Sequence, residues 1–210
     1  MRYCARLLFV AVLAWMNSTS SQLSAQVNVW TYHNDNARTG ANTNETILTT
    51  ANVNTNSFGK LFSQSVDGYI FAQPLYIANV NVTNKGAHNV IFVATEGDTV
   101  YAFDADNNSG SNSAALWSHS LLGSGETTLT TGDVGTTDVQ PQIGITGTPV
   151  IDTNSGTLYV VAKSKLVSGG TTNFYQRLHA LDITSGAERP NSPVLIQASV
   201  LGIGDGSSGG

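Results

Sequence analysis

Short stretches in which side-chain character changes at every second position recur along the chain, as where Val100 and Ala102 interleave with Tyr101 and Phe103. A period of two puts successive side chains on opposite faces of an extended strand. Three such pieces follow one another in the same order twice. The first set is Ala72-Gln-Pro-Leu-Tyr-Ile77, Val90-Ile-Phe-Val-Ala-Thr95 and Val100-Tyr-Ala-Phe-Asp104; the second is Gly147-Thr-Pro-Val-Ile-Asp152, Leu158-Tyr-Val-Val-Ala162 and Leu178-His-Ala-Leu-Asp182. Each unit opens with a proline strand (Pro74, Pro149), continues with an apolar strand, crosses a loop and closes on a strand ending Ala-x-Asp. Equivalent pieces lie about 67 to 78 residues apart, a spread that loop insertions account for. A fourth strand is expected in each unit, over Ala115-Leu-Trp-Ser-His-Ser-Leu121 and Pro193-Val-Leu-Ile-Gln-Ala-Ser-Val200.

The fold class expected from this repeat is all-β: a β-propeller of four-stranded antiparallel blades, each burying its faces against its neighbours. The residues that end each unit sharpen the expectation. Ala180-x-Asp182-x-x-x-Gly186 and Ala102-x-Asp104 resemble the pyrroloquinoline-quinone-repeat (quinoprotein-type) propeller family, in bacterial members of which Ala-x-Asp is followed by Gly and Trp. Here Gly110 and Trp117 arrive late, behind the insertion Asn107-Asn-Ser-Gly-Ser-Asn-Ser113, and Pro190 stands where the second tryptophan belongs. The resemblance implies blade-docking roles for Ala102, Asp104, Gly110, Trp117, Ala180, Asp182 and Gly186: the alanine leaves room, the aspartate caps a turn and the tryptophan covers the glycine. It spans residues 69–200, about two blades.

The organisation read from this pattern has six parts. Residues 1–25 are a signal peptide, 26–65 a lead-in segment with a ring-closing strand, 66–122 the first blade, 123–145 a loop insertion, 146–201 the second blade and 202–210 a Gly/Ser-rich end. Propellers close with about four to eight blades, and two cannot. The sequence is therefore expected to be the amino-terminal part of a longer protein. A ring assembled from several copies is the alternative.

The leader assignment rests on Arg2 and Arg6 ahead of the apolar run from Leu7 to Met16, and on small residues up to Ala25. Export to the periplasm or the outside follows, with an uncleaved anchor as the alternative. No later segment approaches the roughly 20 apolar residues that a membrane span needs. Only 11% of the 210 residues are charged. Removing Arg2 and Arg6 leaves seven basic against fourteen acidic side chains, a net charge of −7 that does not suit nucleic acid or anionic membrane as partner. The one cysteine, Cys4, lies in the leader, so the remainder has no disulfide, no thiolate nucleophile and no sulfur ligand.

Candidate chemistry is sparse. Asp104, Asp106 and Asn108 place oxygens at alternate positions before Gly110, which suits a hard cation, although the spacing departs from the helix-loop-helix calcium loop and Asp and Asn are ordinary turn formers. His33, Asp35 and Arg38 are neighbours from which a general base and its partner can be drawn, but no nucleophile accompanies them. His88, His119 and His179 stand alone, with no two at metal-ligand spacing. No catalytic residue is assigned. The function expected is that of an exported binding or scaffold module for a protein or carbohydrate partner. The alternative is a dehydrogenase of alcohols or sugars that uses pyrroloquinoline quinone and calcium, its site lying mostly in further blades.

Overall fold

A computed structural model describes residues 27–199 and Gly202. Among the described residues the regular structure is almost all antiparallel β-sheet, and helix is limited to one four-residue turn, α1 (Thr131–Val134), and a 3₁₀ turn at Gly110–Asn112. The signal peptide and the Gly/Ser-rich end lie outside the described residues, apart from Gly202.

The first sheet is a meander in chain order: β1 (Leu75–Val82), β2 (Gly86–Ala94), β3 (Thr99–Asp104) and β4 (Trp117–Ser120). The same order returns in β7 (Val150–Asp152), β8 (Thr157–Ser168), β9 (Thr171–Asp182) and β10 (Val194–Leu195). Pro74 and Pro149 sit immediately before β1 and β7, where a missing N–H breaks no ladder bond. β8 and β9 turn through Gly169 and Gly170, both at positive φ (58° and 80°). Only such residues match a two-residue turn to the twist of the strands it joins.

The two meanders share one register. Leu75 pairs with Phe92, Phe92 with Ala102 and Ala102 with Trp117. In the second, Val150 pairs with Tyr159 and Tyr159 with Ala180. Paired residues project to the same side of a sheet, so each row marks a face, here called the front. In the first sheet this row is buried. In the second it is not: Val150 is 40% exposed and Tyr159 39%. The second sheet instead buries its back, through Ile151, Leu158, Val160 and Leu181. All of these belong to one apolar cluster with Leu75, Phe92, Ala102 and Trp117. The front of one sheet thus packs on the back of the next.

Polar contacts fix the junction. Trp117 Nε1 donates to the Ile183 carbonyl at 3.0 Å, and Thr83 N donates to the Thr184 carbonyl at 2.9 Å. The Trp117 ring lies over Gly186, where an added Cβ would stand 2.5 Å from Cε3 and where φ is +73°. Asp104 Oδ1 accepts from the amides of Asp106 and Asn107, and Asp182 Oδ1 from that of Thr184, so each aspartate closes the turn after its strand.

Two segments differ from the sequence reading. Residues 123–145 are not a bare loop: they carry β5 (Thr127–Thr130), α1 and β6 (Gln142–Ile143), and β5 pairs with β8 through Thr127–Lys165 and Thr128–Ser164. The reason is the length of β8 and β9, whose hairpin outruns the meander and offers a free edge to any extended neighbour. The lead-in segment builds no separate strand among the described residues. Val29 bridges to Tyr76 of β1, and the Trp30 carbonyl accepts from Ile151 of β7, so it lies along both sheets at once.

Gly186→Ala is expected to lose about 3 kcal/mol in urea denaturation, combining a clash with Trp117 and left-handed backbone strain. Gly135→Ala, also at positive φ (71°) but with nothing within 4 Å of its added Cβ, is expected to lose about 1 kcal/mol from strain alone. Equal losses would show that the Trp117 stack contributes nothing.

Candidate functional site

The turn between β2 and β3, Thr95-Glu-Gly-Asp98, is flanked by apolar strands yet buries two acidic side chains at the junction between the sheets. Asp98 stands in the left-handed region (φ 57°), conformational strain of a kind that clusters at sites under a functional constraint. Glu96 Oε2 accepts from Gly144 N at 2.7 Å and from Thr146 Oγ1 at 3.2 Å, tying the first sheet to the chain that enters the second. Its Oε1 has no protein partner, and neither oxygen of Asp98 has one. Asp67, close by, is satisfied by the hydroxyls of Thr95 and Thr99 at 2.6 and 2.5 Å. Gly144 is small by necessity, since a Cβ there would meet Asp98 Oδ1 at 2.6 Å.

An ionised carboxylate without donors is costly when buried. Burial first, and then the charge of Glu96, push the Asp98 carboxyl up to about 8, against an ordinary 3.8 and against the Lys163 amide, with smaller upward pushes from Asp67 and Glu126. At neutral pH Asp98 is a neutral acid. That makes it a proton-holding group rather than a charged ligand.

Within electrostatic reach of Asp98, Arg177 forks onto Glu126, Nη1 to Oε2 at 2.8 Å and Nη2 to Oε1 at 2.7 Å, while Ser164 Oγ donates to Oε2 at 2.6 Å. The guanidinium holds Glu126 down to about 2 against the opposing effect of burial. His179 is buried on β9, its Nδ1 2.5 Å from Glu188 Oε1, and Glu188 also accepts from the Ser192 hydroxyl. Burial lowers the His179 pKa and outweighs Glu188, so the ring is neutral, with an Nε2 that has no protein partner. His119, Arg177, His179 and Glu188 border one cleft of about 330 Å³ between the sheets.

The residues singled out from sequence are scattered. Asp104 Oδ2 accepts from His88 Nδ1 at 2.5 Å and from Asn112 Nδ2 at 2.9 Å. Burial opposes its ionisation, but His88 and the turn amides hold its carboxyl below the usual range. Asp106 accepts from Asn89, and Asn108 donates to the Ser63 carbonyl. Each of the three is thus spent on a different neighbour. Among the described residues no three His, Asp or Glu side chains are arranged to hold a metal ion. His33 stacks on Tyr32 and faces the Arg38 carbonyl, while Asp35 accepts from the Ala37 amide in an Asx turn. The sequence reading did not single out Glu96, Asp98, Glu126, Arg177 or Glu188. Two acids within an apolar hairpin were the one signal available for the first pair.

No protein-family model, curated protein or solved structure matches the chain.

Because Asp98 keeps its proton in the folded state up to about pH 8 but gives it up near 3.8 when unfolded, its contribution to stability falls as pH rises through that window and levels above it. Asp98→Asn, which tolerates the same backbone, is expected to flatten this decline in urea titrations from pH 4 to 9. An unchanged slope would show that Asp98 is ionised throughout. The Glu126 contribution runs the other way: it is whole above 4.5 and lost as pH falls towards about 2.

Proposed function

We propose that this chain is the amino-terminal part of an exported β-propeller of the pyrroloquinoline-quinone-repeat kind, acting as a binding module rather than as an enzyme. The observation that carries the reading is the front-to-back packing of two sheets that share strand order and register. Front on back is a heterologous contact, and a heterologous contact repeats until a rotation closes it into a ring. The second sheet keeps the complement of that contact in water: Val150, Tyr159 and Leu178, the last 37% exposed, lie on the face by which the first sheet docks. A third sheet of the same kind covers that face in the complete ring.

The binding role is supported by what the polar groups do. The buried acids at the junction have structural partners or hold protons: Glu126 is forked by Arg177, Asp98 is kept neutral, and Glu188 is shared by His179 and Ser192. The leader expected from Arg2, Arg6 and the apolar run places the protein in the periplasm or outside the cell, where its partner is a protein or a carbohydrate.

The protein recovered from its native cells is expected to lose about 2 kcal/mol, a fall of several degrees in melting temperature, on Tyr159→Glu or Leu178→Glu, because a covered face cannot solvate the new charge. Unchanged melting would show that the face is in water and remove the ring. Incubation with pyrroloquinoline quinone and calcium is expected to give no dye reduction with alcohols or sugars; turnover would replace the binding role with catalysis.

A further inference from the structure

Strands β8 and β9 run 12 residues each, whereas their counterparts β2 and β3 run 9 and 6. The added rungs, from Lys163–Gln176 to Ser168–Thr171, extend past the length of the first sheet's ladder. They are stiffened as a wing by β5 along one edge and by Lys165, whose Nζ lies 2.5 Å from Asp133 of α1. The first sheet has nothing equivalent, so repeat packing does not require this structure. Elaborations carried on a rigid repeat are where such folds place their recognition surfaces.

We infer that the wing binds a neutral oligosaccharide, in a groove built around Phe174 and Gln176, which share one face of β9. The inference rests on the binding-module reading and supplies its ligand class. Two hollows, of about 300 and 320 Å³, adjoin along β9 and share Phe174, Tyr175, Gln176 and Ile196. Each is at the small end of the range for ligand pockets, the scale of a sugar ring rather than of a folded protein's surface. Phe174 is 53% exposed and Ile196 48%. A flat aromatic face left in water is the surface on which the C–H side of a sugar ring packs.

The polar lining selects further. The amides of Asn173, Gln176 and Gln197 border the groove, and an amide both donates and accepts, as a hydroxyl does. Ionic selection is weak: Asp133 is neutralised by Lys165, Lys163 brings one positive charge, and the acidic body of the chain repels polyanions. Tyr175 projects from the other face of β9 together with Arg177, whose guanidinium lies 4.2 Å from its ring centre. β10 ends at Leu195, and after it the Ile196 amide donates to the Gln176 carbonyl, so the platform is anchored at one end.

Affinity electrophoresis of the full-length protein through gels containing hydroxyethylcellulose, laminarin, arabinoxylan or galactomannan tests this, followed by calorimetry with a hexasaccharide of whichever polymer retards it. At least one neutral polymer is expected to retard the protein. Phe174→Ala is expected to lower the association constant about tenfold, the loss of one aromatic anchor, and Gln176→Ala severalfold, with the circular dichroism spectrum and melting temperature unchanged. Ile47→Ala, exposed elsewhere, is expected to bind as the parent does. Retardation by none of the four, retardation that survives both wing substitutions, retardation only by heparin or polygalacturonate, or binding only to extended peptides on an array would each overturn the inference. Sugar binding that persists while Tyr159→Glu leaves melting unchanged would keep the wing and discard the ring, so the two readings fail separately.

Discussion

A small antiparallel sheet with apolar side chains on both faces has no stable way to exist alone. Burial of apolar area at roughly 25 cal/mol per Å² is the main force available to a chain without disulfides among its described residues, and the contact between the two sheets is where it is collected. Leu75, Phe92 and Ala102 from one sheet and Ile151, Leu158 and Leu181 from the other merge in one cluster. The rest of the structure is arranged around that contact. The aspartates that close the strand turns, the tryptophan on its glycine and the segment around Val29 and Trp30 all serve to hold two sheets at one spacing.

The same contact explains why charge is found where it is least expected. Two sheets meeting face to face bring their turns together at the rim, so Glu96 and Asp98 from one meet Gly144 and Thr146 from the other, away from water. An acid in that position is either given donors, as Glu96 Oε2 is, or kept neutral, as Asp98 is. For Glu126, close enough to act on Asp98, the solution is a forked ion pair with Arg177. The junction thus contains carboxyl groups whose affinities for a proton differ widely, although all belong to ordinary Asp and Glu side chains.

How much of this was legible beforehand varies from residue to residue. The strand order and the proline starts follow from local periodicity and turn chemistry, which a sequence displays directly, whereas the turn-closing roles of Asp104 and Asp182 were what the family resemblance implied. The 67-residue spacing sets Phe92 against Tyr159, and the ladder pairs these two with equivalent alanines, Ala102 and Ala180. What the spacing did not show is that the two sheets bury opposite faces. The wing was missed for a related reason: Thr127 and Thr128 carry no strong strand signal and are extended only because β8 offers them an edge.

The sequence by itself determined that this chain is all-β and organised as two similar four-strand units, because a period of two and a repeat of motifs are properties of neighbours along the chain. Which face of each sheet is buried, which acids lose water and which aromatic side chains remain exposed were decided only by tertiary structure. Those properties depend on what lies opposite a residue across a sheet contact, dozens of positions away, and one-dimensional spacing does not encode that distance.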